Sequence, residues 1–147
     1  MIASGATVLA VDDDPDDRFL LEQAWRQAGI GNPLRTIDDG PGLVDYLSGS
    51  GAYSDRTRYP LPAMILLDIK MPGMSGLDVL KWLRAQESLR RVPVLILTAS
   101  TAPTDVTEAY RLGASCFFIK PSALDELIEL LKAVKNCWLR FNQFPEI

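Results

Sequence analysis

Five side chains, each at the end of an apolar run, could do chemistry together. Asp12 and Asp13 follow the run at residues 7–11, and Asp68 follows Met64-Ile65-Leu66-Leu67. Thr98 follows residues 92–97, and Lys120 follows residues 116–119. Two adjacent carboxylates repel, and a third nearby adds to it. At about 4 Å and an effective dielectric near 20, each pair costs on the order of 4 kcal/mol unless a cation intervenes. The acids therefore point to a divalent metal. A carboxylate can also accept a phosphoryl group, giving a mixed anhydride that water later hydrolyses. Such a transfer needs in-line positioning and neutralised charge, which Mg²⁺ and an ammonium supply. Taken singly, each residue is ordinary, since acids are common where strands reach the surface. Three carboxylates, a hydroxyl and an ammonium at one edge make a magnesium-and-phosphoryl site.

Whether they share an edge depends on the elements that carry them. Met64–Leu67 lies between Pro62 and the Pro72-Gly73 pair and reads as a strand buried on both faces. Residues 7–11 form the first strand and run into Asp12-Asp13-Asp14-Pro15-Asp16-Asp17. Asp14 suits an N-cap, Pro15 the first helical position, and Asp16 and Asp17 the positive end of the helix dipole. Asp12 and Asp13 have no such explanation. A helix follows with Leu21, Ala24, Trp25 and Ala28 on one face, and Gly29 stops it. A second strand spans 33–37, and a short helix spans 40–47 with Leu43, Val44 and Leu47 inward. Residues 48–62 form a long loop, about 15 residues, read as a tolerated surface insertion. A third helix carries Gly76, Val79, Leu80 and Leu83. The strand at 92–97 and a fourth helix at 104–112 come next, with Gly113 ending the helix. The fifth strand, 116–119, precedes a capping-box variant of Ser122 and Asp125. The last helix carries Leu124, Leu127, Ile128, Leu131 and Val134. Five strands alternating with five helices give an α/β fold with a largely parallel sheet and right-handed crossovers. In such sheets ligands bind outside the carboxyl ends of the strands, where all five candidate side chains stand.

Composition narrows the field. The chain has 147 residues, 48% of them apolar and 23% charged, as expected of one globular domain with a sizeable core. Histidine is absent. That removes Ser-His and Cys-His nucleophile schemes and most zinc sites, and the chain cannot itself carry phosphohistidine. A net charge of −4 without a basic cluster argues against nucleic acid as a partner. The apolar runs are too short to span a bilayer and residues 1–7 lack a basic leader, so a cytoplasmic setting is expected and no membrane partner. Cys116 and Cys137 sit in apolar surroundings and are expected to be reduced core thiols. Asp12-x-Asp14-x-Asp16 imitates a calcium loop but has Asp17 where glycine is needed and Gln23 where the bidentate glutamate belongs. It also imitates the aspartate pair of haloacid-dehalogenase-type phosphatases. There Pro15 follows at once, with little room for a cap domain.

The pieces VLAVDDDPDD, LLDIKMPGMSG, VLILTAS and CFFIKP together resemble the receiver domain of two-component response regulators, over essentially the whole chain. The resemblance implies a flavodoxin-like five-stranded parallel sheet of order 2-1-3-4-5, as a single receiver domain over residues 1–147 with its core at about 6–135. It implies that Asp68 accepts a phosphoryl group from a phosphohistidine on a sensor histidine kinase. Asp13, Asp68 and the Lys70 backbone carbonyl would bind Mg²⁺ directly, and Asp12 through water. Thr98 Oγ and the Ala99 N–H would take a phosphoryl oxygen, and movement of Thr98 would open space for Phe117 at the aromatic switch position. Phe117 is Phe rather than the more frequent Tyr, so a switch step needing a phenol hydroxyl has no donor here. Lys70 and Ser100 occupy positions that tune dephosphorylation in the family, and the Lys120–Pro121 peptide would be cis.

The run DPDDRFLLEQA, the long loop before the third strand and the aromatic tail look like the single-domain regulators that partner bacterial phytochromes. With no residues left for an output domain, the signal would leave through protein contacts on the fourth helix, fifth strand and fifth helix. The last helix carries a second apolar stripe of Ala123, Leu127, Leu130, Val134, Cys137 and Phe141, with Trp138, Leu139 and Phe144 adding area. A stripe this wide marks an interface, expected to be a homodimer through Leu130, Val134, Cys137, Trp138 and Phe141. The alternatives are a receiver that binds partners without being phosphorylated and the small phosphatase.

Overall fold

The computed structural model describes residues 5–146. Residues 1–4, part of the stretch read above for a leader, and Ile147 lie outside it. The three central apolar runs become strands covered on both faces, so no polar alternation is needed there, while the two edge strands are only partly buried. Among the described residues the strands are β1 (Val8–Val11), β2 (Leu34–Ile37), β3 (Met64–Leu67), β4 (Val94–Thr98) and β5 (Cys116–Ile119), all parallel, in the order β2-β1-β3-β4-β5. Alternate residues feed two cores. Leu9, Val11, Ile65, Leu67, Val94 and Ile96 point to α2 (Gly40–Ser48), α3 (Gly76–Ala85) and α4 (Pro103–Arg111), where they meet Leu43, Leu47, Val79, Leu83 and Ala109. Val8, Ala10, Met64, Leu66, Leu95 and Leu97 point to α1 (Pro15–Gln27) and α5 (Leu124–Val134), meeting Leu21, Trp25, Leu127, Leu131 and Val134. No helix among the described residues is long and apolar enough to cross a membrane.

Local chemistry sets the helix starts. Asp14 caps α1 by accepting from the Asp16 N–H at 2.9 Å, with Pro15 in the first turn. The capping box stands at α3, where Ser75 Oγ accepts from the Asp78 N–H and Asp78 accepts from the Ser75 N–H. The one expected at Ser122 and Asp125 does not form. α5 begins only at Leu124 with Ala123 at the cap position, so Ser122 stands one residue ahead of the cap, where its hydroxyl does not serve the first-turn N–H groups. The Asp125 carboxylate instead accepts from the neighbouring Glu126 N–H. The expected cis bond is also absent: Lys120–Pro121 is trans. The trans isomer is intrinsically favoured by about 0.5–1 kcal/mol, and it already delivers the Lys120 ammonium to the acids.

Two segments exceed the sequence reading. The loop after α2 is built rather than loose. Tyr46, Tyr53 and Tyr59 form a ring cluster with centroids 5.0–6.0 Å apart, and Tyr46 donates to the Pro60 carbonyl at 2.8 Å. Arg56 donates to the Tyr46, Leu47 and Tyr59 carbonyls, satisfying the end of α2 where Gly49 turns the chain at φ +71°. At the other end of the chain, α5 runs on into a π-helical segment, Lys135–Phe141.

Candidate functional site

The sheet register assembles the site. Val11 lies opposite Leu67, and the Asp68 N–H donates to the Val11 carbonyl at 3.0 Å, so Asp12 and Asp68 leave adjacent strands side by side. The Lys120 N–H donates to the Thr98 carbonyl at 2.7 Å, locking those two strand ends together. Behind the acceptor loop, Gly76 packs directly on the Asp68–Ile69 backbone. A Cβ there would fall 2.1 Å from the Asp68 carbonyl oxygen, so only glycine fits.

Asp12, Asp13 and Asp68 each place a carboxylate oxygen within 4.8 Å of the others; Asp12 and Asp68 are buried and Asp13 is the most open. An all-oxygen set of this kind suits a hard divalent cation. The Lys120 ammonium sits among them, 2.6 Å from Asp12, 2.9 Å from Asp17 and 3.4 Å from Asp68. Burial opposes its charge, but the bonds to Asp12 and Asp17 and the Asp68 charge outweigh that and hold its pKa above the usual lysine value. Asp12 moves the other way for a carboxylate. Burial raises its pKa, the Asp68 charge adds to the rise, and the bonds from Lys120 and the Asp14 N–H offset only part of it.

Asp68 also accepts from the Lys70 N–H at 3.1 Å, which folds the Lys70 peptide back beside it. Thr98 is fully buried, and its Oγ1 accepts from the Ser100 N–H at 3.4 Å; Ala99 between them is exposed. Phe117 is half-buried against the core shared by α2, α3 and α4, opposite Ile96 on β4.

The interface residues divide. Val134 is buried in the core with α1, and Leu130 and Trp138 pack half-buried against that core. Cys137 is exposed, and Phe141 is 69% exposed. Cys116 is half-buried, so neither thiol is a fully enclosed core group, and both are free.

Two residues of the site were not singled out in the sequence. Asp17 was assigned to the helix dipole, yet it pairs with Lys120 at 2.9 Å, farther than Asp12 but nearer than Asp68. Asp105, in the first turn of α4, accepts from Ser100 Oγ at 2.5 Å and pairs with the Lys70 ammonium at 3.1 Å. The Ser100 bond first, and then Lys70, hold its carboxyl below the usual range. Both are first-turn acids on helices that start at the carboxyl edge, the signal that could have found them.

This fold, with this acid cluster and its lysine, defines a class. Residues 8–132 match the response regulator receiver domain, and the chain belongs to that family: it is a signalling phosphoacceptor of two-component systems rather than a classical enzyme. Among solved structures it resembles response regulator RPA3017, in red light signaling of R. palustris, with 31% identity and a TM-score of 0.91 over 97% of this chain and 99% of that one. It is also similar to the phosphorylated cyanobacterial phytochrome response regulator RcpA, at 27% identity and TM-score 0.88 over 97% and 99%. The Mn²⁺-bound form of Rcp1, a response regulator of Synechocystis, matches at 28% identity and TM-score 0.85 over 96% and 99%.

Proposed function

We propose that this chain takes a phosphoryl group onto Asp68 from the phosphohistidine of a sensor histidine kinase, in a Mg²⁺-dependent reaction, and signals through protein contacts. The observation that carries the reading is one ammonium, Lys120, held within 3.4 Å of three carboxylates, one of them Asp68. An Asp68 carboxylate oxygen attacks phosphorus in line, the P–N bond breaks, and its electron pair returns to the imidazole. Asp12, Asp13, Asp68 and the Lys70 carbonyl would hold Mg²⁺, which supplies charge neutralisation at the transferring group. Lys120 then pairs with the phosphoryl oxygens it now lacks, while Thr98 Oγ1 and the Ala99 N–H orient one of them. Phe117 repacks as Thr98 moves.

The likeness to regulators named for red light signaling and phytochromes supports a kinase of the bacterial phytochrome type. We assign the chain to the cytoplasm as a single receiver, with a homodimer formed through the end of the last helix. Exposed Phe141 and Cys137, flanked by half-buried Leu130 and Trp138, support that surface, whereas Val134 contributes from inside.

The test is transfer from an autophosphorylated histidine kinase. The label should leave the kinase and appear on this chain with Mg²⁺ and stay on the kinase with excess chelator. Equal transfer under both conditions would overturn the metal-dependent reading.

A further inference from the structure

Beside the acid cluster lies a second, more open network centred on the Asp105 carboxylate, which the transfer step itself does not use. Lys70 has its N–H on the Asp68 carboxylate at 3.1 Å, but its ammonium is turned away, 3.1 Å from Asp105. That Asp105 oxygen also accepts from Ser100 Oγ at 2.5 Å, and Ser100 Oγ in turn accepts from the Ala102 N–H at 3.3 Å. The Ser100 N–H reaches Thr98 Oγ1 at 3.4 Å. One carboxylate on α4 thus ties together the loop after the acceptor, the loop after Thr98 and the first turn of its own helix. The Ser100–Asp105 bond is charge-assisted and short, and fixes the carboxylate. The Lys70 side chain is 62% exposed on a flexible four-carbon stem, so it can change partner.

We propose that Asp105 is a positioning residue that competes with the phosphoryl group for the Lys70 ammonium and so sets how long the phosphoryl group stays on Asp68. This rests on the function proposed above. Loss of the group is hydrolysis: a water oxygen bonds to phosphorus, the bond from phosphorus to the Asp68 oxygen breaks, and the carboxylate and inorganic phosphate separate. The water's proton passes to solvent. Lys70 supplies no atom to this step. Held by Asp105, it leaves the approach to phosphorus open; released, it lies on the phosphoryl oxygens and covers that approach. Asp105 acts only through Lys70, with Ser100 keeping its carboxylate in place.

The experiment uses the full chain, phosphorylated with a small phosphodonor and Mg²⁺ and then freed of donor, with decay of the Asp68 phosphoryl group followed over time. Asp105→Asn keeps the shape and still accepts from Ser100 but gives up the charge that holds Lys70. It should lengthen the lifetime roughly fivefold, the scale of one partly exposed ion pair. Lys70→Ala removes the cation for which Asp105 and the phosphoryl group compete, so Asp105→Asn added to Lys70→Ala should change the lifetime no further. A merely structural role for Asp105 would leave its effect intact in the Lys70→Ala background, and that result overturns the proposal. So does a wild-type lifetime in Asp105→Asn. Absence of any phosphoryl group on wild-type Asp68 would instead overturn the reading of the site itself, and this proposal with it.

Discussion

The two ends of the sheet are built on opposite terms. At the carboxyl end, the Asp12, Asp17 and Asp68 carboxylates crowd around one ammonium with Asp13 beside the cluster, and burial drives Asp12 toward its neutral form. At the amino end, the loop leading into β3 leaves its chemistry satisfied. Arg56 serves three carbonyls, Tyr46 donates to Pro60, and three tyrosine rings pack on one another. Charges forced together without full pairing cost stability, so the carboxyl end is kept for what it binds. The amino end holds the fold. Changes at one end should therefore separate from changes at the other.

The largest effect belongs to the place where fold and site touch. Gly76→Ala drives a Cβ into the Asp68 carbonyl and within 2.8 Å of the Ile69 Cα. Denaturant unfolding should show a loss of about 3 kcal/mol, at the upper end of overpacking costs, together with impaired phosphorylation. Next comes Arg56→Ala, which strips the carbonyl partners at the end of α2. A loss of about 2 kcal/mol is expected, as for hydrogen bonds to a charged donor, with the rate of phosphorylation unchanged. A fall in that rate matching the fall in stability would erase the contrast between the two ends.

Asp12 sharpens it from the other side. Its pKa is raised in the folded protein, so the folded state binds the proton more tightly than the unfolded chain does. The penalty for burying its charge is fully present at neutral pH and relieved as pH falls through the folded pKa. In chelator, Asp12→Asn should melt above wild type at pH 7, and the gap should close on acidification. A variant that melts lower at pH 7 would mean the Lys120 bond outweighs burial.

The smallest effect tests the thiols. Burial first, with the nearby Cys137 adding to it, pushes the Cys116 thiol up to about 11, while Cys137 is exposed. Alkylation at pH 8 should label Cys137 at least roughly tenfold faster, since the thiolate is the reactive form.

The legibility of the chain follows the same division. Asp12, Asp68, Thr98 and Lys120 were readable because each follows or ends a short apolar run, and the run's end fixes the residue at the edge of the sheet. The pairings of Asp17 with Lys120 and of Asp105 with Lys70 and Ser100 were not, because helix register and loop path decide them. A first-turn acid satisfies the helix dipole whether or not a cation comes to meet it. The apolar stripe of the last helix had the same ambiguity: spacing groups Val134 with Phe141, but packing against α1 buries the first and the π-helical turn exposes the second. The tyrosine-lined loop looked like an insertion because its order comes from ring contacts and from one arginine on distant carbonyls.

The central claim is that the crowded carboxyl end exists to make Asp68 a phosphoryl acceptor. The most direct measurement treats wild type and Asp68→Asn with a small phosphodonor and Mg²⁺ and locates the added mass by peptide mapping. One phosphoryl group should appear on Asp68 in the wild type and none on the folded Asp68→Asn protein. Modification of another residue, or of the variant at the wild-type rate, would contradict the account.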